Sequence, residues 1–207
     1  VWLAGRSNVF ADEPAQFSVN LSASSLADPN FLRFVELCLT KAAISPALLA
    51  FEADQSFWRK DRICLQRLSR GIETLGAGLV IDNVTLHDEL AEILSLPGVR
   101  LAKIDRRLTQ GLASHRANQM RVAGMAQIAR VAGILTVAKQ VEAPAEQSLL
   151  HALGVDFVQG HAAAVPVPLD ELERQRAEAL LIDDAVREPA GMSVPAGTDA
   201  ARTAAIA

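Results

Sequence analysis

The chain has 207 residues, of which 50% are hydrophobic and 21% are charged, and its formal net charge at neutral pH is −4. These values fit one globular domain. The weak net negative charge excludes a strong overall attraction for nucleic acid, so we expect no DNA or RNA partner. The apolar runs are too short to cross a bilayer, and we expect no membrane insertion by this segment. Cys38 and Cys64 lie in helical patterns without metal or disulfide spacing, which indicates a reducing, cytoplasmic compartment.

Six short β-rich runs alternate with helical patterns along the chain. They cover residues 17–21, 48–51, 79–81, 101–104, 134–138 and 155–158. This alternation predicts an α/β fold with parallel strands joined by right-handed crossovers, as in an open doubly wound sheet or a (β/α) barrel.

Capping signals and apolar stripes predict the first two long helices. Asp28-Pro29 predicts an N-cap followed by proline at the first helical position, with an apolar stripe of Phe31, Phe34, Val35 and Cys38. The pattern over 57–75 predicts one helix that ends at Gly76 and buries Ile63, Cys64, Leu68 and Ile72.

The remaining pattern completes the domain. Residues 85–88 resemble a capping box that opens a third helix, and further helices are predicted over 107–131, 144–153 and 169–182. After residue 182 the composition changes to Ala, Gly, Pro and Thr, which cannot bury much apolar surface. We therefore expect a domain over residues 1–182 and a disordered tail over 183–207.

Polar or charged residues follow each predicted strand. They are Asn20, Glu52, Asp82, Lys103 with Asp105, Lys139 with Glu142, and Gln159. In α/β barrels the carboxyl ends of the strands meet at one mouth, where the chemistry is placed. Polar residues are also common wherever a strand meets water, so the argument for a site depends on the whole set.

Short motifs around these residues resemble one family, the EAL domains. Asn20-Leu-Ser22 resembles the family's Asn-Leu-Ser strand, and Phe51-Glu52-Ala-Asp-Gln55-Ser56 resembles its Glu-Leu-Thr-Glu-Ser strand. Val80-Ile-Asp82-Asn83 stands at the Asp-Asp-Phe-Gly motif, and Lys103-Ile104-Asp105 matches Lys-Ile-Asp. Residues 138–142 stand at Ala-Glu-Gly-Val-Glu, and Gln159-Gly160 matches Gln-Gly. The resemblance covers about residues 1–172.

The resemblance implies a modified TIM barrel and a set of site residues. Active members hydrolyse cyclic di-GMP with two Mg²⁺ or Mn²⁺ ions, which activate water and neutralise the phosphate. The metal positions would be Asn20, Glu52 and Asp82, with Glu142 supporting them, and Lys103 would lie with Glu52 and Asp82 in the general-base region. Candidate contacts to cyclic di-GMP are Asp105, Gln159 and Lys103.

Four departures from the family predict an inactive site. The Glu-Ala-Leu strand is absent from the sequence, and six strands predict an incomplete barrel because eight are needed for closure. Asn83 replaces the second aspartate, and Lys139 replaces a ligand glutamate, so we expect Lys139 to pair with Glu52 or Asp82. The loop after the aspartate has lost its glycines, and Gln55 replaces the glutamate that steadies it in active relatives. We expect no cofactor.

Three functions remain open at this point. The favoured one is an inactive regulatory module that contacts a protein partner, an attached GGDEF or sensor domain, or a second copy in a homodimer. The alternative is a metal-independent cyclic di-GMP receptor. The third is an active phosphodiesterase that uses Mg²⁺ or Mn²⁺. The first residue is Val1, which indicates a fragment whose missing part could hold the Glu-Ala-Leu strand.

Overall fold

The sheet contains six parallel strands in sequential order. A computed structural model of the protein describes residues 17–161, 167–168, 170–171 and 174–175. The strands are β1 (Phe17–Asn20), β2 (Leu49–Asp54), β3 (Gly78–Val84), β4 (Val99–Ile104), β5 (Leu135–Lys139) and β6 (Phe157–Gln159). Their order is β1-β2-β3-β4-β5-β6, with no reversal of the kind that defines a doubly wound sheet. The strands curl into a partial barrel, which confirms the predicted incomplete TIM-like fold.

Helices connect the strands on the outside of the sheet. They are α1 (Ala23–Ala27), α2 (Phe31–Ala42), α3 (Phe57–Lys60), α4 (Arg62–Leu75), α5 (Leu90–Leu94), α6 (Arg106–Thr109), α7 (Arg116–Ala132) and α8 (Pro144–Ala152), with 3₁₀ turns at Pro46–Leu48 and Leu112–Ser114. Among the described residues, none of these helices is both long and apolar enough to cross a bilayer.

One continuous hydrophobic core lies between the sheet and the helices. Leu79 and Ile81 of β3 are fully buried against Leu65 and Ile72 of α4. The central strands are buried over most of their length, as expected for parallel strands that are covered on both sides. This packing leaves the polar side chains to gather at the strand ends.

The first long helix differs from its prediction. Helix α2 begins at Phe31 after Asn30, whereas Asp28 closes α1 and accepts a hydrogen bond from the Asn30 backbone N–H at 2.8 Å. The predicted stripe was partly wrong, because Phe34 is 65% exposed and Cys38 is also exposed. The helix is apolar on several sides, and it is Val35 and Leu39 that face the core.

The predicted helix over 57–75 is two helices. Asp61 leaves the helical conformation with φ −155°, and its carboxylate then accepts a hydrogen bond from the Cys64 N–H at 3.0 Å to cap α4. Leu68 and Ile72 are buried as predicted, but Ile63 is 78% exposed and Leu65 takes the core position instead. Gly76 ends the helix with φ 84°, which confirms its predicted left-handed conformation.

Two later predictions also need correction. Residues 85–88 form no capping box, and α5 begins at Leu90. The predicted helix over 107–131 is broken into α6, a 3₁₀ turn and α7, because Gly111 adopts φ 63°. The helix that starts at Pro144 is confirmed and ends at Ala152. Of the predicted helix over 169–182 only four residues are described, and the predicted tail over 183–207 lies outside the described residues.

Candidate functional site

The carboxyl ends of the six strands bring the predicted site residues to one end of the sheet, which we call the mouth. Asn20 of β1 stands in register with Glu52 of β2, and Lys139 of β5 stands in register with Gln159 of β6. Asp82 lies near the end of β3. Parallel strands make this convergence unavoidable, because all their carboxyl ends point the same way.

Glu52 and Lys103 form a buried ion pair at the centre of the mouth. The Lys103 ammonium donates to Glu52 Oε1 at 2.5 Å, and the two side chains are 6% and 5% exposed. Their strands, β2 and β4, lie on either side of β3. The Glu52 carboxylate is therefore already neutralised by a residue of the same chain.

Lys139 forms a second ion pair nearby. Its ammonium donates to Asp82 Oδ1 at 2.5 Å and to Asn83 Oδ1 at 2.7 Å. The prediction that Lys139 pairs with one of the two carboxylates is confirmed, and the partner is Asp82 because Lys103 holds Glu52. The contact joins β5 to β3 across β4.

Asn83 uses both ends of its amide. While its Oδ1 accepts from Lys139, its Nδ2 donates to Asp54 Oδ2 at 2.7 Å. Its backbone has φ 54°, an uncommon left-handed conformation for a residue other than glycine. Burial raises the pKa of Asp54, but hydrogen bonds from Asn83 and Ser56 outweigh burial and leave this pKa below its usual value. Asp54 was not among the predicted site residues, although its spacing of two from Glu52 places both side chains on one face of β2.

The loop after β3 is held by Gln55. The Thr85 N–H donates to Gln55 Oε1 at 2.8 Å, and the Gln55 N–H donates to the Asp82 carbonyl oxygen at 2.9 Å. That the replacement of the family glutamate by Gln55 weakens the site stays a prediction, and the Gln55 amide fixes the start of this loop through Thr85.

Asp105 is buried and is held by Arg107. Asp105 Oδ1 accepts from the Arg107 backbone N–H at 2.9 Å, and Oδ2 accepts from Arg107 Nη2 at 2.6 Å. The hydrogen bonds from Arg107 lower the pKa of Asp105 against the opposing effect of burial, and the Lys139 charge acts in the same direction as Arg107. Beside this pair, Arg106 donates to Gln140 Oε1 at 3.0 Å.

The lowered pKa of Asp105 predicts acid sensitivity. The folded state binds the Asp105 proton more weakly than the unfolded state does, so the ionised carboxylate stabilises the fold. This stabilisation is complete above the ordinary Asp pKa of 3.8 and is lost as the pH falls below it. Asp105→Asn and Arg107→Ala should each flatten the dependence of the melting temperature on pH between about pH 5 and about pH 3. A thermal scan at each pH checks this, and wild-type-like slopes in both variants would contradict the assignment.

The remaining predicted residues stand at the rim of the mouth. Asn20 and Glu142 are exposed, and Glu142 forms no ion pair with any described residue. The Gln159 carbonyl oxygen accepts from the Val141 N–H at 3.0 Å. Gly160 has φ 147°, and a side chain there would collide with the Val141 backbone, so only glycine fits.

The donor set at the mouth does not fit two divalent ions. Glu52 and Asp82 each hold a lysine ammonium, and Asn83 carries no charge. In the part of the chain that the structure describes, no three or more His, Cys, Asp or Glu side chains form a group that could hold a metal. Mg²⁺ and Mn²⁺ require several free oxygen ligands, mostly carboxylates.

A cleft is lined by residues other than those of the mouth. Its volume is about 710 Å³, and it is lined by Trp58, Arg59, Arg62, His87, Asp88 and Glu89. The Arg62 guanidinium lies 4.1 Å from the Trp58 ring centroid, and Arg59 forms an ion pair with Glu89 at 3.1 Å. No motif in the sequence predicts this cleft, because its walls come from α3, α4 and the loop before α5.

Comparisons with known proteins agree with this geometry. The family model described as "EAL domain" matches residues 4–166. An uncharacterised protein of Mycobacterium tuberculosis is 31% identical over 165 residues, which cover 76% of this chain and 53% of that protein. The cyclic di-GMP phosphodiesterase PdeF of Escherichia coli is 29% identical over 159 residues, with 74% of this chain and 21% of PdeF covered.

A third relative is known in both sequence and structure. MucR of Pseudomonas aeruginosa, a bifunctional diguanylate cyclase and cyclic di-GMP phosphodiesterase, is 28% identical over 156 residues, with 75% of this chain and 23% of MucR covered. The solved MucR phosphodiesterase in complex with cyclic di-GMP superimposes with a TM-score of 0.72 at 26% identity, over 83% of this chain and 67% of that one.

The chain spans about half the length of the mycobacterial relative and under a quarter of MucR and PdeF. The family match itself covers most of the chain and includes all six strands and the whole mouth. The chain therefore belongs to the EAL domain family of cyclic di-GMP signalling.

Proposed function

We propose that this chain is a non-catalytic EAL domain that acts as a regulatory module in cyclic di-GMP signalling. The observation that carries the proposal is the contact of Lys139, which replaces a ligand glutamate of the family, with Asp82 and with Asn83. Two-metal cleavage of a phosphodiester needs free carboxylates around both ions. Here Asp82 has the Lys139 ammonium as its partner, and the neighbouring Asn83 carries no charge.

Electrostatic repulsion sets the free-energy cost of binding a metal ion beside Lys139. At about 4 Å and an effective dielectric constant of about 20, two unit charges of the same sign repel by about 4 kcal/mol. A divalent ion that approached Asp82 would meet the Lys139 ammonium at 2.5 Å from the same oxygen. It would have to displace Lys139 or accept this repulsion for each of its two charges. We therefore expect weak divalent-ion binding and no hydrolysis of cyclic di-GMP.

A regulatory role also needs a contact surface for a partner. Phe34 and Leu37 of α2 are 65% and 62% exposed, and Cys38 is exposed one residue further along the helix. Exposed apolar groups on one side of a helix are typical of protein interfaces. Because MucR is a bifunctional protein several times longer than this domain, an attached signalling domain is the partner we propose.

The second candidate function is a receptor that binds cyclic di-GMP without metal. It is supported by the MucR structure in complex with cyclic di-GMP and by the Arg107 side chain, which is 79% exposed at the rim. Of the contacts proposed for the dinucleotide, Lys103 and Asp105 are buried in ion pairs, and Gln159 is half-buried. A receptor would therefore have to bind through the rim or open these pairs.

One calorimetric titration separates the candidates. Cyclic di-GMP is titrated into the protein at its full natural length, first in EDTA and then in Mn²⁺. We expect no binding heat in either buffer, because Lys139 opposes metal binding and the candidate contacts Lys103 and Asp105 are held in ion pairs. Equal micromolar affinity in both buffers would assign the receptor function instead. Binding that appears only with Mn²⁺ would contradict both.

A matched variant tests the role of the substituted residues in the same experiment. Lys139→Glu combined with Asn83→Asp restores two carboxylates beside Asp82, so a Mn²⁺ titration should show saturable binding that the wild type lacks. Lys41→Glu, an exposed change on α2, is the charge control and should not create a site. If the double variant binds Mn²⁺ no better than this control, these residues do not surround the metal position.

A further inference from the structure

The Lys139 ammonium lies between the ends of two strands that do not pair with each other. Its oxygen partners, Asp82 and Asn83, belong to β3, whereas Lys139 ends β5, and β4 runs between them. The Lys139 side chain is 20% exposed and that of Asp82 is 17% exposed. An ammonium has three N–H donors, and two of them are used in this bridge.

The Asn83 side-chain amide contacts a cation, Lys139, through its oxygen and a carboxylate, Asp54, through its nitrogen. It accepts from Lys139 at 2.7 Å and donates to Asp54 at 2.7 Å. An aspartate at this position could accept from Lys139 but could not donate to Asp54, and two carboxylates would then face each other. The amide at position 83 therefore suits an internal cation at position 139.

The backbone at this point needs such support. Asn83 adopts φ 54°, and a left-handed conformation in a residue other than glycine persists only when the surroundings hold it. The Asp82 carbonyl accepts from the Gln55 N–H, and Gln55 in turn fixes Thr85. The ammonium thus stabilises a segment, residues 82–85, from which the loop before α5 starts.

From this arrangement we infer that Lys139 is a built-in cation that replaces a bound metal ion in ordering the mouth. The tethered ammonium bridges the ends of β3 and β5, holds Asn83 in its left-handed conformation, and makes the order of residues 82–85 independent of divalent ions. Lys139 is a positioning residue in this role. When its side chain is shortened, the vacated position between Asp82 and Asn83 accepts a small free cation. The inference goes beyond the proposed function, since it concerns what holds the mouth together and not what the domain binds.

Chemical rescue of Lys139→Ala tests the inference. The substitution removes four side-chain atoms, Cγ to Nζ, which n-propylammonium supplies in the same order. We expect the melting temperature to fall by about 5 °C and backbone amides in residues 82–85 to exchange faster with solvent. Adding n-propylammonium or Mn²⁺ should restore both, whereas the wild type should respond to neither.

Controls separate the cation from other effects. Tetramethylammonium has the charge but no N–H donor, and n-propanol has the shape but no charge, so neither should restore the variant. Lys139→Arg should keep slow exchange in residues 82–85, because a guanidinium can still bridge two oxygens. Lys41→Ala, on the exposed face of α2, should behave as wild type in every solution.

The possible outcomes decide the inference. Rescue by n-propylammonium, by Mn²⁺ or by both supports a cation position, and Lys139→Ala that is as stable and as slowly exchanging as wild type overturns it. A destabilised variant that no cation restores also overturns it, because Lys139 would then act only through packing. Hydrolysis of cyclic di-GMP by the wild type would overturn the proposed function without deciding the rescue experiment.

Discussion

Replacing Lys103 by methionine should lower the free energy of unfolding by about 3–5 kcal/mol. The substitution keeps most of the side-chain volume but leaves the Glu52 carboxylate, which is 5% exposed, without its ammonium partner at 2.5 Å. An isolated buried charge is costly, and the cost of removing one partner exceeds the net worth of the pair. Urea unfolding followed by circular dichroism measures the change.

A double-mutant cycle identifies the cause of this loss. Glu52→Gln combined with Lys103→Met removes both charges, so the double variant should be more stable than Lys103→Met alone, although the domain has lost two native groups. Lys41→Met, on an exposed face, should change the free energy of unfolding by less than about 0.5 kcal/mol. A loss below about 1 kcal/mol in Lys103→Met would mean that Glu52 reaches solvent or another partner and that the pair is not buried as described.

The architecture could be predicted from the sequence because its signals are local and repeated. Six β-rich runs between helical patterns indicate a parallel sheet, and the strand ends in such a sheet converge whatever the detailed packing. The buried faces of the helices were less predictable where two faces of a helix are equally apolar and only packing decides between them. Helix α2 has apolar residues on more than one side, and it is its tertiary packing that buries Val35 and leaves Phe34 exposed.

The ion pair of Lys139 could be predicted from the sequence, but the other contacts at the mouth could not. The motif comparison placed an ammonium at position 139 beside Asp82, and opposite charges at that spacing were expected to pair. The hydrogen bond from Asn83 to Asp54 was not foreseen, because it depends on a left-handed backbone at residue 83 and on the face of β2 that Asp54 shares with Glu52. The hydrogen bond between Gln55 and Thr85 was not foreseen either, because it depends on how the loop after β3 lies against the end of β2.

Turnover of cyclic di-GMP in the presence of Mn²⁺ should be absent, and this is the largest functional difference that we expect from an active relative. The reason is that Lys139 neutralises Asp82 and that Asn83 replaces the second aspartate, so two ions would lack carboxylate ligands at this position. Enzymatic rate enhancements of phosphoester hydrolysis span many orders of magnitude, so even a weak activity would be visible above the uncatalysed reaction.

The decisive measurement is chromatography of the nucleotide products after incubation of the full-length protein with cyclic di-GMP and Mn²⁺, beside the MucR phosphodiesterase domain as positive control. We expect MucR to yield the linear dinucleotide and this protein to leave cyclic di-GMP intact, as in buffer alone. Accumulation of the linear dinucleotide that stops on addition of EDTA would contradict it, because a working metal centre would then exist despite Lys139 and Asn83.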